Sequence, residues 1–153
     1  VAGKKGLDMG SGTGVLAIAA CKRGATAVDA VDIDDFAYEN CAENIVTNGV
    51  EHLITPLLGD SRLLEGRKYD FILANINRNI LLADMATYAK SLSEGGELVV
   101  SGFYEEDIPL LTKKAKSLKM KKNITGMMYI IHFMAASCGL LPISCCFIMI
   151  IWQ

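Results

Sequence analysis

Apolar residues along the chain follow two alternating patterns. Short, nearly continuous apolar runs alternate with longer stretches in which apolar residues recur every three or four positions. The first pattern predicts buried strands and the second predicts helices. The predicted strands are 5–9, 27–33, 53–58, 69–76 and 97–102, and the predicted helices are 14–23, 36–48, 79–93 and 105–119.

Strands that alternate with helices, and that are apolar on both faces, are typical of a parallel sheet covered by helices on both sides. We therefore predict an α/β fold with a doubly wound, mostly parallel sheet. Gly49 follows the second helix at the position of a helix C-cap. Pro56 lies inside the third strand and predicts irregular pairing there.

A glycine-rich loop joins the first strand to the first helix. Gly10, Gly12 and Gly14 allow positive φ and a close approach of a ligand to the main chain, and the helix behind them offers free N–H groups. The stretch from Gly12 to Ala17 fits the dinucleotide pattern G-x-G-x-x-G/A. Asp8 argues against a dinucleotide, because a carboxylate at the loop mouth repels a pyrophosphate. It would attract S-adenosylmethionine, which carries an ammonium and a sulfonium and no phosphate.

Polar side chains end the next three predicted strands. Asp32 lies twenty residues after Gly12, where a carboxylate accepts ribose hydroxyls, with a helix cap as the alternative. Ile33 beside it is a further cofactor contact. Asp60 follows the third strand, either to accept from an adenine amine or to serve as a turn or cap residue. Asn75 ends the fourth strand, where its amide carbonyl can accept from an incoming amine and orient it; this is the predicted catalytic residue.

Neighbouring polar residues have structural explanations. Asp34 and Asp35 are expected to cap the second helix, and Asn77 and Asn79 the third. Arg78 is expected to lie in solvent rather than to steer a substrate.

Length and charge narrow the class of protein. The 153 residues suit one domain, and the net charge of −2 gives no basic excess for non-specific binding of nucleic acid. The five cysteines lack metal-ligand spacing, so we expect no metal and reduced, buried thiols in a cytoplasmic protein. We expect no signal peptide before the glycine loop. Because the loop follows Val1 almost at once, we expect an upstream part to be absent.

The composition changes after residue 122. Residues 123–153 contain no charged side chain and three of the five cysteines. They could form a closing strand pair over 128–134 and 146–152, a membrane span, or a non-native segment such as a shifted reading frame. We therefore divide the chain into a cofactor-binding core, residues 1–122, and an apolar tail, residues 123–153.

Several of these stretches together resemble the bacterial ribosomal protein L11 methyltransferases. They are residues 7–20, 30–34, 74–76 and 101–102, and the resemblance runs from Leu7 to Lys119. It implies a Rossmann-like class I methyltransferase that transfers methyl groups from S-adenosylmethionine to lysine side chains and to the α-amino group of a large-subunit ribosomal protein. By motif, it makes Gly10, Asp32 and Asn75 cofactor contacts, with Asn75 also near the substrate amine.

The resemblance also suggests partners and alternatives. In the family, a separate N-terminal domain recognises the ribosomal protein, and that domain is not in this chain. We expect a cytoplasmic monomer without direct contacts to nucleic acid or membrane. Two alternatives stay open: a truncated cofactor-binding remnant without activity, and a methyltransferase acting on another nitrogen. Methyltransferases that act on a nucleic-acid base or a glutamine amide usually carry Asn-Pro-Pro-aromatic after the fourth strand. Here the strand is followed by Ile76-Asn77, which differs from that motif.

Overall fold

The computed structural model describes residues 1–128 and 147–152. Seven strands make one sheet: β1 Lys5–Met9, β2 Ala27–Asp32, β3 Ile54–Leu58, β4 Tyr69–Asn75, β5 Leu92–Ser101, β6 Lys122–Met128 and β7 Phe147–Trp152. Four α-helices connect them: α1 Val15–Lys22, α2 Asp35–Thr47, α3 Arg78–Ser91 and α4 Ile108–Ser117. Short 3₁₀ helices lie at Ser61–Leu64 and Glu105–Asp107.

The strand order is β3-β2-β1-β4-β5-β7-β6. The first five strands are parallel, and β7 is antiparallel to both β5 and β6. The predicted doubly wound, mostly parallel α/β fold is therefore confirmed. The order reverses between β1 and β4, and the carboxyl ends of strands at such a reversal are where open α/β sheets bind ligands.

Two apolar clusters cover the two faces of the sheet. On one face, Leu81 and Met85 of α3 and Leu111 of α4 pack with Leu98 and Trp152. On the other face, α1 and α2 contribute a smaller cluster: Ala17, Ile18, Ala20, Cys21, Cys41 and Ile45. The sheet is thus buried on both sides, which explains why its strands read as continuous apolar runs.

Pro56 does not disturb the pairing of β3, so the prediction of an irregular strand was wrong. β3 pairs with β2 in unbroken register from Ile54 to Leu58. The bonds from Val28 N–H to the Leu53 carbonyl and from Gly59 N–H to the Asp32 carbonyl fix the orientation of the strand. They place Pro56 with its missing N–H toward the open edge, where a proline costs no ladder hydrogen bond.

The predicted helix over 105–119 is divided in two. A 3₁₀ turn, Glu105–Asp107, precedes α4, which begins at Ile108 with Pro109 in its first turn. Proline is tolerated there because the first N–H groups of an α-helix have no partner within the helix.

The tail contributes two described strands. β6 begins at Lys122, before the start of the predicted strand 128–134. β7, Phe147–Trp152, matches the predicted strand 146–152 except at its first residue. The predicted turn near 138–142 and the cysteines at 138, 145 and 146 lie outside the described residues. Trp152 is fully buried in the larger apolar cluster.

Both described cysteines, Cys21 and Cys41, are buried free thiols, as expected. Burial raises the pKa of each thiol above its ordinary value. Within the described ranges, the helices are too short or too polar to cross a bilayer, and no three His, Cys, Asp or Glu side chains are grouped as metal ligands.

Candidate functional site

An open cleft of about 760 Å³ lies at the carboxyl ends of β1 to β4. We call it the large cleft. It contains three carboxylates and one guanidinium among otherwise apolar or neutral groups. Its lining residues are Met9, Gly10, Asp32, Ile33, Gly59, Asp60, Ser61, Arg62, Ile76, Asn79, Ile80, Ala83 and Asp84.

The glycine loop reaches the large cleft at Gly10. Gly10, Gly12 and Gly14 have φ of 73°, 52° and 78°. At Gly12, a Cβ would have no atom within 4 Å, so the space above the loop is open. A positive φ beside open space lets a ligand approach the Gly12 main chain, which is what a nucleotide-binding turn requires.

Asp8 does not lie at the mouth of the loop, which corrects its expected position. The residue is 1 % exposed, and its Oδ2 accepts a hydrogen bond from Ala17 N–H at 2.9 Å. Burial raises the pKa of Asp8 to about 7, with a further increase from the negative charge of Asp32. Asp8 therefore supports the loop from beneath, and its charge depends on pH near neutrality.

Asp32 connects the glycine loop to the end of β2. Its Oδ2 accepts from Gly12 N–H at 2.8 Å, and its Oδ1 accepts from Asp34 N–H at 3.1 Å. The cap of α2 is Asp34, which accepts from Ala37 N–H, as predicted. Because a carboxylate has about four acceptor positions, Asp32 can still accept from a ligand in the large cleft that it lines.

Ile33 and Asp60 both line the large cleft, as their predicted roles require. Ile33 is 74 % exposed, which is unusual for an apolar residue next to a strand. Asp60 also has the alternative structural role. It caps the turn at Ser61–Leu64 and forms an ion pair with Arg62 at 2.8 Å. Hydrogen bonds from Arg62 lower the pKa of Asp60, which keeps the carboxylate charged.

Asn75 ends β4 and is exposed, but it does not line the large cleft; Ile76 does. The Asn75 Oδ1 accepts from the Ser101 hydroxyl at 3.0 Å, and the two residues are paired across β4 and β5. This bond fixes the amide in orientation and leaves the carbonyl a second lone pair.

Gly102 brings β5 against the end of β4. Its φ is 86°, and a Cβ would lie 2.9 Å from Asn75 Oδ1 and 3.0 Å from the Ile76 carbonyl. Only glycine permits this backbone and this approach. The sequence marked Ser101 and Gly102 through the family resemblance alone, without indicating their contact with Asn75.

Two further features near the site were not predicted. Asp84 on α3 lines the large cleft, although helical periodicity gave no reason to select it. Arg78 is exposed, as expected, but it also forms an ion pair with Asp107 at 2.8 Å. Asn77 caps α3 through Asn79 N–H and Ile80 N–H, as expected.

A doubly wound sheet with antiparallel closing strands, a glycine loop and an acidic cleft at the strand reversal defines a Rossmann-like class I methyltransferase fold. Solved structures agree. The ribosomal protein L11 methylase from Lactobacillus delbrueckii subsp. bulgaricus matches with a TM-score of 0.78 and 26 % identity, over 98 % of this chain and 69 % of that one. The precorrin 8w decarboxylase from Methanobacterium thermoautotrophicum shares the fold, with a TM-score of 0.74 at 17 % identity, over 99 % and 82 %.

The model of the family "Ribosomal protein L11 methyltransferase (PrmA)" matches residues 1–126, and the chain belongs to this family. Ribosomal protein L11 methyltransferases from Phocaeicola vulgatus and Porphyromonas gingivalis are 54 % and 51 % identical over 120 and 124 residues. These alignments cover 78 % and 80 % of this chain and 42 % of each relative. The chain thus spans less than half the length of these relatives.

Proposed function

We propose that this chain transfers methyl groups from S-adenosylmethionine to lysine and α-amino nitrogens of ribosomal protein L11. The observation that carries the proposal is the large cleft, which Asp32, Asp60 and Asp84 line together with Gly10 of the glycine loop. Family membership supports the reaction and the substrate. A ribosomal substrate would place the reaction in the cytoplasm.

The chemistry of the large cleft fits this cofactor. The adenine amine, the ribose hydroxyls and the ammonium group are donors, and the carboxylates are acceptors. The one guanidinium lining the cleft, that of Arg62, is paired with Asp60. A pyrophosphate would meet uncompensated negative charge here, which disfavours a dinucleotide.

The residues of the chain then have separate tasks. When bound, S-adenosylmethionine supplies an electrophilic methyl group on a sulfonium. Asp32, oriented by the Gly12 N–H, would accept from the ribose hydroxyls, Ile33 would pack against the base, and Asp60 would accept from the adenine amine. Asn75 orients the acceptor nitrogen, and positioning of this kind can supply much of the rate enhancement.

A free lysine has a pKa of about 10.4, so only on the order of one in a few thousand is neutral at pH 7. The Asn75 carbonyl accepts from that neutral amine, and the proton passes to solvent because an amide is not a base.

Calorimetric titration with S-adenosylmethionine and with NAD tests the cofactor assignment. We expect S-adenosylmethionine to bind more tightly, because the cleft carries acceptors and negative charge. Tighter binding of NAD would contradict the assignment.

Transfer of a labelled methyl group to purified ribosomal protein L11 tests the reaction. Cofactor binding without any transfer would favour the inactive remnant.

Replacing Asp32 by alanine is expected to weaken cofactor binding by about 1.5–3 kcal/mol, the range for hydrogen bonds to a charged group. The ligand-free chain should also lose about 1–3 kcal/mol of unfolding free energy, because Gly12 N–H and Asp34 N–H lose their acceptor. Calorimetry and urea unfolding measure the two effects. Asp35→Ala, the same change of charge on an exposed neighbour, is the control. An unchanged affinity in Asp32→Ala would remove Asp32 from the cofactor site.

A further inference from the structure

A second, smaller cavity of about 280 Å³ lies beyond the end of β4. We call it the side cavity. Its lining residues are Asn77, Arg78, Asn79, Gly102, Phe103, Tyr104 and Asp107. Asn79 lines both cavities. The segment Asn75–Ile76 lies between them, because Ile76 lines the large cleft while Gly102 of the side cavity touches both residues.

The wall of the side cavity is held in place by one ion pair. Asp107 accepts from Arg78 Nη1 at 2.8 Å and from Tyr104 N–H at 3.1 Å. Hydrogen bonds from Arg78 lower the pKa of Asp107. The carboxylate is therefore charged at neutral pH and ties the start of α3 to the turn that carries Tyr104.

Tyr104 is the exposed part of this wall. It is 79 % exposed, whereas its neighbour Phe103 is 8 % exposed and belongs to the core. A large aromatic ring held beside a cavity, with most of its surface in solvent, offers a face to an alkyl chain or to a cation.

The rim of the side cavity carries negative charge from two glutamates just outside its lining. Glu105 and Glu106 follow Tyr104 directly and are exposed, whereas the charge of Asp107 in the lining is offset by the Arg78 guanidinium. A negative rim repels a phosphate backbone and attracts a basic peptide segment. The charges therefore favour a lysine-bearing protein over a nucleic acid as the occupant.

We propose that the side cavity receives the lysine side chain of the methyl acceptor and that Tyr104 binds its alkylammonium chain. This inference rests on the proposed function, in which the large cleft binds the methyl donor. Asn75 lines neither cavity, but its Oδ1 lies beside Gly102 of the side cavity, so the acceptor nitrogen would approach the methyl group across the Asn75–Ile76 segment. The nitrogen lone pair forms the new N–C bond, the S–C bond breaks with its electron pair on sulfur, and one proton leaves the nitrogen for water.

Nuclear magnetic resonance of the full chain, saturated with S-adenosylhomocysteine, tests the proposal. The probe is a blocked five-residue peptide with a central lysine between glycines, and the matched probe carries norleucine instead. We expect the lysine peptide to shift the backbone amides of residues 77–79 and 102–107, and the norleucine peptide to shift them less. Added salt should weaken the effect, since the rim is exposed.

Variants of Tyr104 make the test specific. Tyr104→Ala should weaken binding of the lysine peptide about two- to fivefold, the range for an exposed cation–π contact. Tyr104→Phe should keep wild-type affinity, because it keeps the ring face. Phe36→Ala removes a similarly exposed aromatic ring, 76 % exposed, outside both cavities and should change nothing. Affinity for S-adenosylhomocysteine should be the same in all three variants.

The outcomes separate the two proposals. Shifts confined to other residues, equal shifts with norleucine, or stronger shifts with a short RNA would overturn the side cavity as a lysine site. Failure of S-adenosylhomocysteine to bind would overturn the cofactor assignment. If the lysine peptide still shifted residues 102–107 in that case, the side cavity would stand as an amine site by itself.

Discussion

Asn75→Ala is expected to slow methyl transfer on the order of a hundredfold while leaving cofactor affinity nearly unchanged. The amide lies at the end of β4, and its carbonyl is oriented by the Ser101 hydroxyl at 3.0 Å. Its predicted task is to orient the acceptor nitrogen, which contributes mainly in the transition state. Misplacement of a reacting group by about 1 Å can cost on the order of a hundredfold in rate.

The measurement is single-turnover transfer to ribosomal protein L11 at saturating cofactor. For this purpose the chain is joined to the part of the Phocaeicola vulgatus relative that the alignment does not cover. Ser101→Ala keeps the amide and removes only its anchor, so a smaller loss is expected. Asn48→Ala, at the end of α2, is the control for loss of an amide far from the site. An unchanged rate at saturation in Asn75→Ala would leave Asn75 as a cofactor contact or a strand terminator.

Asp8 is expected to make the stability of the chain depend strongly on pH between about 4 and 7. Burial raises the pKa of Asp8 from 3.8 to about 7 in the folded state. Between these values the folded chain keeps a proton that the unfolded chain has lost, so the unfolding free energy falls as pH rises. A shift of this size corresponds to about 4 kcal/mol, which is present below pH 4 and lost above pH 7.

Asp8→Asn isolates this contribution. The asparagine carbonyl can still accept from Ala17 N–H, and its NH₂ group imitates the protonated acid. Urea unfolding of both proteins from pH 4.5 to 8 should show similar stability at the acidic end. At pH 8 the variant should be several kcal/mol more stable. A difference that stayed constant over this range would mean that Asp8 does not titrate there.

Much of the fold could be predicted because strand and helix periods are local properties. β1 was predicted to the residue, and Gly49, after α2, has the positive φ of a C-cap glycine. The pairing of β3 was wrongly predicted, because it depends on which strand lies at the edge, and edge position is a property of the whole sheet. The split before α4 shows that a single Pro109 changes the start of a helix whose apolar pattern continues through it.

The sequence indicated which residues belong to the candidate site better than it indicated where their side chains lie. Asp32, Ile33 and Asp60 do line one cleft. Asp8 was expected at the loop mouth because sequence spacing does not indicate which face of a strand end is buried. Arg78 is exposed as expected, but its ion pair was not predicted because its partner Asp107 is twenty-nine positions away. The ion pair between Arg78 and Asp107 forms only because β4 and β5 are adjacent in the sheet, so no local sequence pattern indicates it.

The position of Pro56 has a consequence for self-association. An exposed sheet edge normally presents a row of free donors to which a strand of another molecule can bond. At β3, the outward-facing residues are Ile54, Pro56 and Leu58, and the middle one has no N–H to offer. A strand docking there would meet two consecutive positions without a free donor, because the Ile54 N–H already donates to the Val50 carbonyl at 3.1 Å. Pro56 and this hydrogen bond together therefore protect the edge from edge-to-edge aggregation.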